Sequence, residues 1–100
     1  MRGRGLADSE RQGHIRHLVL NNKYGMHARC AAKIVELAQS YEGQIFFSKD
    51  GQKVEGSSIL ALLTLNCPRG SEVEAEAVGQ DAEALLEATT NLFTRNFDED

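Results

Sequence analysis

Apolar and polar positions alternate along some stretches of the chain and recur at helical spacing along others. From His17 to Asn21, Leu18 and Leu20 alternate with His17 and Val19, which predicts a short strand, and a turn follows at Asn22-Lys23-Tyr24-Gly25. Residues 28–42 carry Ala31, Ile34, Val35, Ala38 and Tyr41 at helical spacing. Lys33, Glu36 and Gln39 fall on the wet face of that helix, and Gly43 supplies a stop. Residues 44–49 predict a strand, Asp50-Gly51 a tight hairpin turn, and 52–55 the return strand. Ser57 or Ser58 then caps a short, strongly apolar helix reaching about Leu65 and ended by Pro68 and Gly70. Residues 71–78 alternate strictly, with Val73, Ala75 and Ala77 inward and Glu72, Glu74 and Glu76 outward. Asp81 caps a last helix to about Thr94, with Leu85, Leu86, Thr89, Leu92 and Phe93 on one side, and the tail from Asn96 reads as a charged fray. The order β-α-β-β-α-β-α contains no internal repeat and predicts an α+β fold, a two-layer sandwich with helices on one face of a four-stranded sheet.

Composition narrows the function. One hundred residues with 41% hydrophobic content make one domain and exclude a two-domain enzyme with a deep cleft. A chain of this size buries roughly two-thirds of its unfolded surface and needs neither disulfides nor metal to fold. A formal charge of −4, no tryptophan and six scattered aromatics argue against a nucleic-acid partner. No apolar run approaches the about 20 residues of a membrane span, so no membrane insertion is expected. Residues 1–13 lack the apolar core of a secretory signal and are read as a flexible extension before a domain at 14–97. Two cysteines are too few for a disulfide scaffold, which points to a reduced, cytoplasmic setting.

The chemistry concentrates at Gly25-Met26-His27-Ala28-Arg29-Cys30. His27 sits where the turn becomes the first long helix. First-turn N–H groups lack helical partners and favour an anion. An imidazole there offers a ring nitrogen as nucleophile. The backbone amides of Ala28, Arg29 and Cys30, with the Arg29 guanidinium, suit a phosphoryl group carried on that nitrogen. On residue chemistry alone, the plainer reading, His27 as a helix cap and Arg29 as a solvated charge, is the favoured one.

Gly25-Met26-His27-Ala28-Arg29-Cys30-Ala31-Ala32 resembles the Gly-Leu-His-Ala-Arg-Pro-Ala-Ala signature of HPr, the histidine-containing phosphocarrier of the phosphoenolpyruvate-dependent phosphotransferase system. The run from Val54 to Leu65, with Gly56-Ser57-Ser58-Ile59-Leu60, is similar to the family's second signature around a regulatory serine. The spacing from His27 to Ser58 matches without a gap, and Arg69-Gly70 and Gly79-Gln80-Asp81-Ala82 also fall in place. The resemblance covers about residues 17–95. It implies an open-faced sandwich whose antiparallel sheet has the strand order 1-4-2-3. It implies that His27 accepts a phosphoryl group from Enzyme I and passes it to an EIIA-type acceptor, with Arg29 stabilising the group. By the same resemblance, Ser58 is the site of HPr kinase/phosphorylase, and Met26, Ile59, Leu60 and Leu63 belong to the docking surface. The protein is then a monomeric carrier without cofactor or metal, a substrate of two enzymes rather than an enzyme. Both the sugar-transport and the nitrogen-related branch of the system fall within the resemblance.

Two positions depart from the family pattern. Cys30 replaces a proline, which restores a backbone donor and puts a thiol at a positive helix end, where its pKa is expected to fall. That thiol reads as small filler, as a redox-sensitive group or as a metal ligand. Ser57 stands where many members have lysine, which weakens a basic contact and adds a second hydroxyl beside Ser58. His14 and His17 form a metal set with His27 and Cys30 only on paper, because residues three apart in a strand face opposite ways. Glu72, Glu74 and Glu76 read as a solvated sheet face. Besides a phosphocarrier, the sequence is compatible with a regulatory relative controlled at Ser58, and with a small α+β metal- or ligand-binding module using His27 and Cys30.

Overall fold

The computed structural model describes residues 14–99, so the extension expected at 1–13 lies outside the described residues. The chain runs through β1 (His14–Val19), α1 (Ala28–Gln39), β2 (Gln44–Lys49), β3 (Gln52–Glu55), α2 (Ile59–Thr64), β4 (Glu72–Val78) and α3 (Ala82–Thr94), then a short turn at Asn96–Asp98. The four strands form one antiparallel sheet in the order β1-β4-β2-β3. This is the α+β open-faced sandwich that the pattern and the resemblance predict. Val73, Ala75 and Ala77 of β4 and Ile45 and Phe47 of β2 are buried beneath Ala31, Ile34 and Ala38 of α1 and Leu85, Leu86 and Phe93 of α3. The two alanines lie on a central strand, where a small side chain lets α3 settle on β1, β4 and β2 together. On the other face Glu76 pairs with Lys53 at 2.6 Å and Glu74 approaches His17 at 3.8 Å, as befits a solvated face.

Four local expectations change. First, β1 starts at His14 rather than His17, because backbone pairing with β4 extends to His14↔Ala77 while the side chains of residues 14–17 stay exposed and leave no burial pattern. Second, α1 stops at Gln39, where Ser40 ends the helix and its hydroxyl donates back to the Glu36 carbonyl at 3.2 Å. Third, Asp81 makes no side-chain cap on α3; its carboxylate accepts from the Glu42 N–H at 2.8 Å and clasps the chain leaving α1.

The fourth change is the tail. Phe97 is fully buried, its ring centroid 4.8 Å from that of Phe93. Lys33, expected on the wet face of α1, is half-buried and donates to the Phe97 carbonyl. Asn96, Phe97 and Asp98 have φ of 54°, 59° and 60°, a left-handed turn. Each such residue costs about 1–2 kcal/mol. Burying Phe97, worth about 1.5–3 kcal/mol, works against that cost. The turn brings Glu99 to the start of α1.

Candidate functional site

The start of α1 is set by a glycine. Gly25 has φ of +67°, and a Cβ there would lie 2.3 Å from the Cys67 carbonyl oxygen, so no other residue fits without displacing backbone. Met26 N–H donates to that same carbonyl at 2.8 Å, which anchors the turn. The chain then enters His27 in extended conformation, φ −126° and ψ 176°, and His27 becomes the N-cap of α1. Its Nδ1 accepts from the Cys30 N–H at 3.4 Å, a long hydrogen bond. Ala28 and Arg29 are exposed, and their amides occupy the first turn, where no helical partner exists. His27, Ala28, Arg29 and Cys30 therefore converge on one helix start. The Cys30 amide already serves the ring, which leaves Ala28 and Arg29 as the open donors.

The opposite ring nitrogen faces Glu99. His27 Nε2 lies 2.9 Å from Glu99 Oε2, but the N–H is not aligned for a hydrogen bond, and both atoms are buried without an aligned partner. Asn22, itself buried, donates through Nδ2 to the Gly25 carbonyl at 2.7 Å and to Glu99 Oε1 at 3.1 Å. Arg29 Nε stands 3.7 Å from Glu99 Oε2 on a side chain 69% exposed. Such a pair is worth about 0–1 kcal/mol, so the guanidinium is free to turn to a better anion. Burial works against the Glu99 carboxylate, yet the Asn22 and His27 contacts, with the charges of His27 and Arg29, hold its carboxyl below the usual range. Tyr24 sets its ring edge-on to His27, centroids 6.2 Å apart. Sequence reasoning missed Asn22, Tyr24 and Glu99 as site residues. Asn22 and Tyr24 sat inside a recognised turn, whereas nothing local marked Glu99.

Cys30 corrects an expectation. It is fully buried, its sulfur 3.7 Å from Met26 Sδ, and it points into the core rather than out of the helix end. Burial, with Glu99 adding to it, pushes the thiol up to about 12, the reverse of the expected fall. Among the described residues no group of three or more His, Cys, Asp or Glu side chains converges as a metal site.

A second helix start holds the other candidates. Ser58 is the N-cap of α2, and its Oγ accepts from Ala61 N–H at 3.1 Å. Ser57 is exposed and donates to Glu55 at 3.2 Å. Leu60 is 77% exposed and Ile59 38%, while Met26 and Leu63 pack partly against the core.

Residues 15–95 match the family described as the PTS HPr component phosphorylation site. Fold and match together define a phosphocarrier of the phosphotransferase system, a carrier and not a catalyst. The phosphocarrier protein NPr of Escherichia coli (strain K12) is 42% identical over 82 residues, covering 81% of this chain and 91% of that protein. The phosphocarrier protein HPr of Xylella fastidiosa (strain 9a5c) is 30% identical over 83 residues, covering 83% and 93%. A crystal structure of HPr-C-His from Thermoanaerobacter tengcongensis superimposes with a TM-score of 0.83 at 33% identity, covering 87% of this chain and 98% of that one. The chain belongs to the HPr family. No helix among the described residues is long and apolar enough to cross a membrane.

Proposed function

We propose that His27 is the phosphoryl acceptor, charged by Enzyme I and discharged to an EIIA-type protein, in either the sugar or the nitrogen branch. The observation that carries this reading is the asymmetry of the ring. Nδ1 faces the first-turn amides of α1, whereas Nε2 is closed off by Glu99 at 2.9 Å. Nδ1 is therefore the acceptor atom. Its lone pair forms the N–P bond while the P–N bond to the donor's phosphohistidine breaks and returns its electron pair to the donor. The Cys30 N–H, released from Nδ1, joins those of Ala28 and Arg29 in holding the phosphoryl oxygens, and Arg29 leaves Glu99 to pair with them.

Leu60 and Ile59, with Met26 and Leu63 beside them, form the docking patch for both partners. Ser58 is the regulatory site, addressed by an HPr kinase/phosphorylase where one is present, because its hydroxyl borders that patch. The carrier acts as a cytoplasmic monomer. The test is labelling. With Enzyme I and phosphoenolpyruvate the protein should gain one acid-labile, base-stable phosphate, and His27→Ala should gain none while keeping its circular dichroism. Persistent labelling of His27→Ala would refute the assignment.

A further inference from the structure

We propose that Glu99 is a positioning residue for phosphoryl transfer: its carboxylate keeps the single proton of the neutral His27 ring on Nε2 and so leaves the Nδ1 lone pair facing the start of α1. The proposal rests on the reading of His27 as the acceptor and adds the group that sets its tautomer. Three buried polar atoms without aligned partners cluster here, Asn22 Oδ1, His27 Nε2 and Glu99 Oε2. Unpaired buried polar atoms are costly, and a cluster of them at one place calls for a functional reason. The carboxylate is not held there by chance packing. Asn22 Nδ2 is fixed by two acceptors, the Gly25 carbonyl at 2.7 Å and Glu99 Oε1 at 3.1 Å, which aims Oε2 at the ring.

An ionised carboxylate only accepts, so it favours a proton on the facing nitrogen. During transfer that proton does not move. As the N–P bond forms at Nδ1 and the donor's P–N bond breaks, the ring becomes a phosphoimidazolium whose positive charge lies against Glu99. Carboxylates orient histidines in this way at metal centres and in hydrolytic triads. The other charged or titratable groups around the pair are Arg29 and Cys30 on α1, Tyr24 in the preceding turn, and Lys23 and Arg69, which line a polar depression with Glu99. Of the acidic side chains, only Glu99 is within 4.0 Å of the His27 ring nitrogens among the described residues.

The test uses Glu99→Gln and Glu99→Ala in the full chain. In Glu99→Gln the Asn22 donor still demands an acceptor. The glutamine carbonyl takes the place of Oε1, and its amide N–H turns to Nε2, which drives the ring proton to Nδ1. Ring nitrogen chemical shifts of the unphosphorylated protein at alkaline pH should move toward the Nδ1–H tautomer. The transfer rate from Enzyme I should fall on the order of ten- to hundredfold. Glu99→Ala presents no donor and should lose less. An unchanged tautomer in Glu99→Gln, or transfer as fast as wild type, overturns the role of Glu99 while normal labelling of His27 leaves the acceptor reading intact. A larger defect in Glu99→Ala than in Glu99→Gln also overturns it, since packing and not proton placement would then govern. A wild-type label on a residue other than His27 overturns both.

Discussion

Two of the three helix starts described, those of α1 and α2, are built alike and surrounded differently. At each, an extended residue turns its side chain back to accept from the third amide of the helix, His27 Nδ1 from Cys30 at 3.4 Å and Ser58 Oγ from Ala61 at 3.1 Å. The helices behind them differ. α1 runs for 12 residues and buries Cys30, Ala31, Ile34 and Ala38, whereas α2 has 6 residues and buries Leu62 alone. The neighbours differ more. Around His27 stand Asn22, Arg29 and Glu99, polar and ionised. Beside Ser58 lie exposed Ile59 and Leu60. Both starts suit an anion by backbone alone. The surroundings are what set them apart: an imidazole with a charged counterpart in one case, a hydroxyl beside an apolar patch in the other.

The largest effect is expected at Arg29. A charge-assisted hydrogen bond is worth about 1.5–3 kcal/mol, so Arg29→Ala should slow transfer roughly ten- to hundredfold without abolishing it. Lysine at position 29 should recover only part, since it lacks the planar fork. Rapid-quench rates for the three proteins decide this, and equal rates would return Arg29 to an ordinary surface charge.

A smaller effect is expected at the second helix start. Ser58→Asp keeps a good capping residue, so circular dichroism should be unchanged. The new charge beside Leu60 must be desolvated when a partner docks. Initial rates should then need a several-fold higher protein concentration to reach half-maximum, with the limiting rate preserved. Ser57→Asp, whose side chain turns to Glu55 rather than the cap, should do less. The reverse ranking would move the regulatory assignment to Ser57.

The smallest effect concerns acid. The Glu99 carboxyl is held down in the folded protein, so its stabilising contribution is complete above the ordinary glutamate value of about 4.3 and is lost as pH falls through the lower folded value. Wild type and Glu99→Gln should therefore differ in urea midpoint at neutral pH and converge only as pH falls through the lowered folded value. A difference that persists into acid would mean that the carboxylate charge is not what holds the tail.

The alternation of β4, the helical spacing of α1 and α3 and the Asp50-Gly51 hairpin were legible because each writes its burial into neighbouring residues. The convergence at His27 was legible for the same reason, being one short run of chain. Glu99 was not. It reaches the ring through three left-handed residues, among them a phenylalanine, and a tail of Asn, Asp and Glu looks solvated whenever its one aromatic is read as incidental. Cys30 was misjudged for a related reason: position in the first turn suggested exposure to the helix dipole, whereas burial depends on what packs over that turn.

The strand order also governs how the molecule assembles. Only β2 and β3 can pair as soon as they emerge, by closing a tight local turn on the microsecond scale. β1, the first described strand, must wait for β4, the last, and the cost of closing that loop is met before any contact rewards it. The His27 site draws on Asn22 and Gly25 from the start of the fold, on Cys67 before β4, and on Glu99 from its end. Its residues span positions 22 to 99, so no short local segment contains it. On the proposed acceptor role, the rate at which His27 takes up label during refolding should rise as Asn22, Cys67 and Glu99 come together around it.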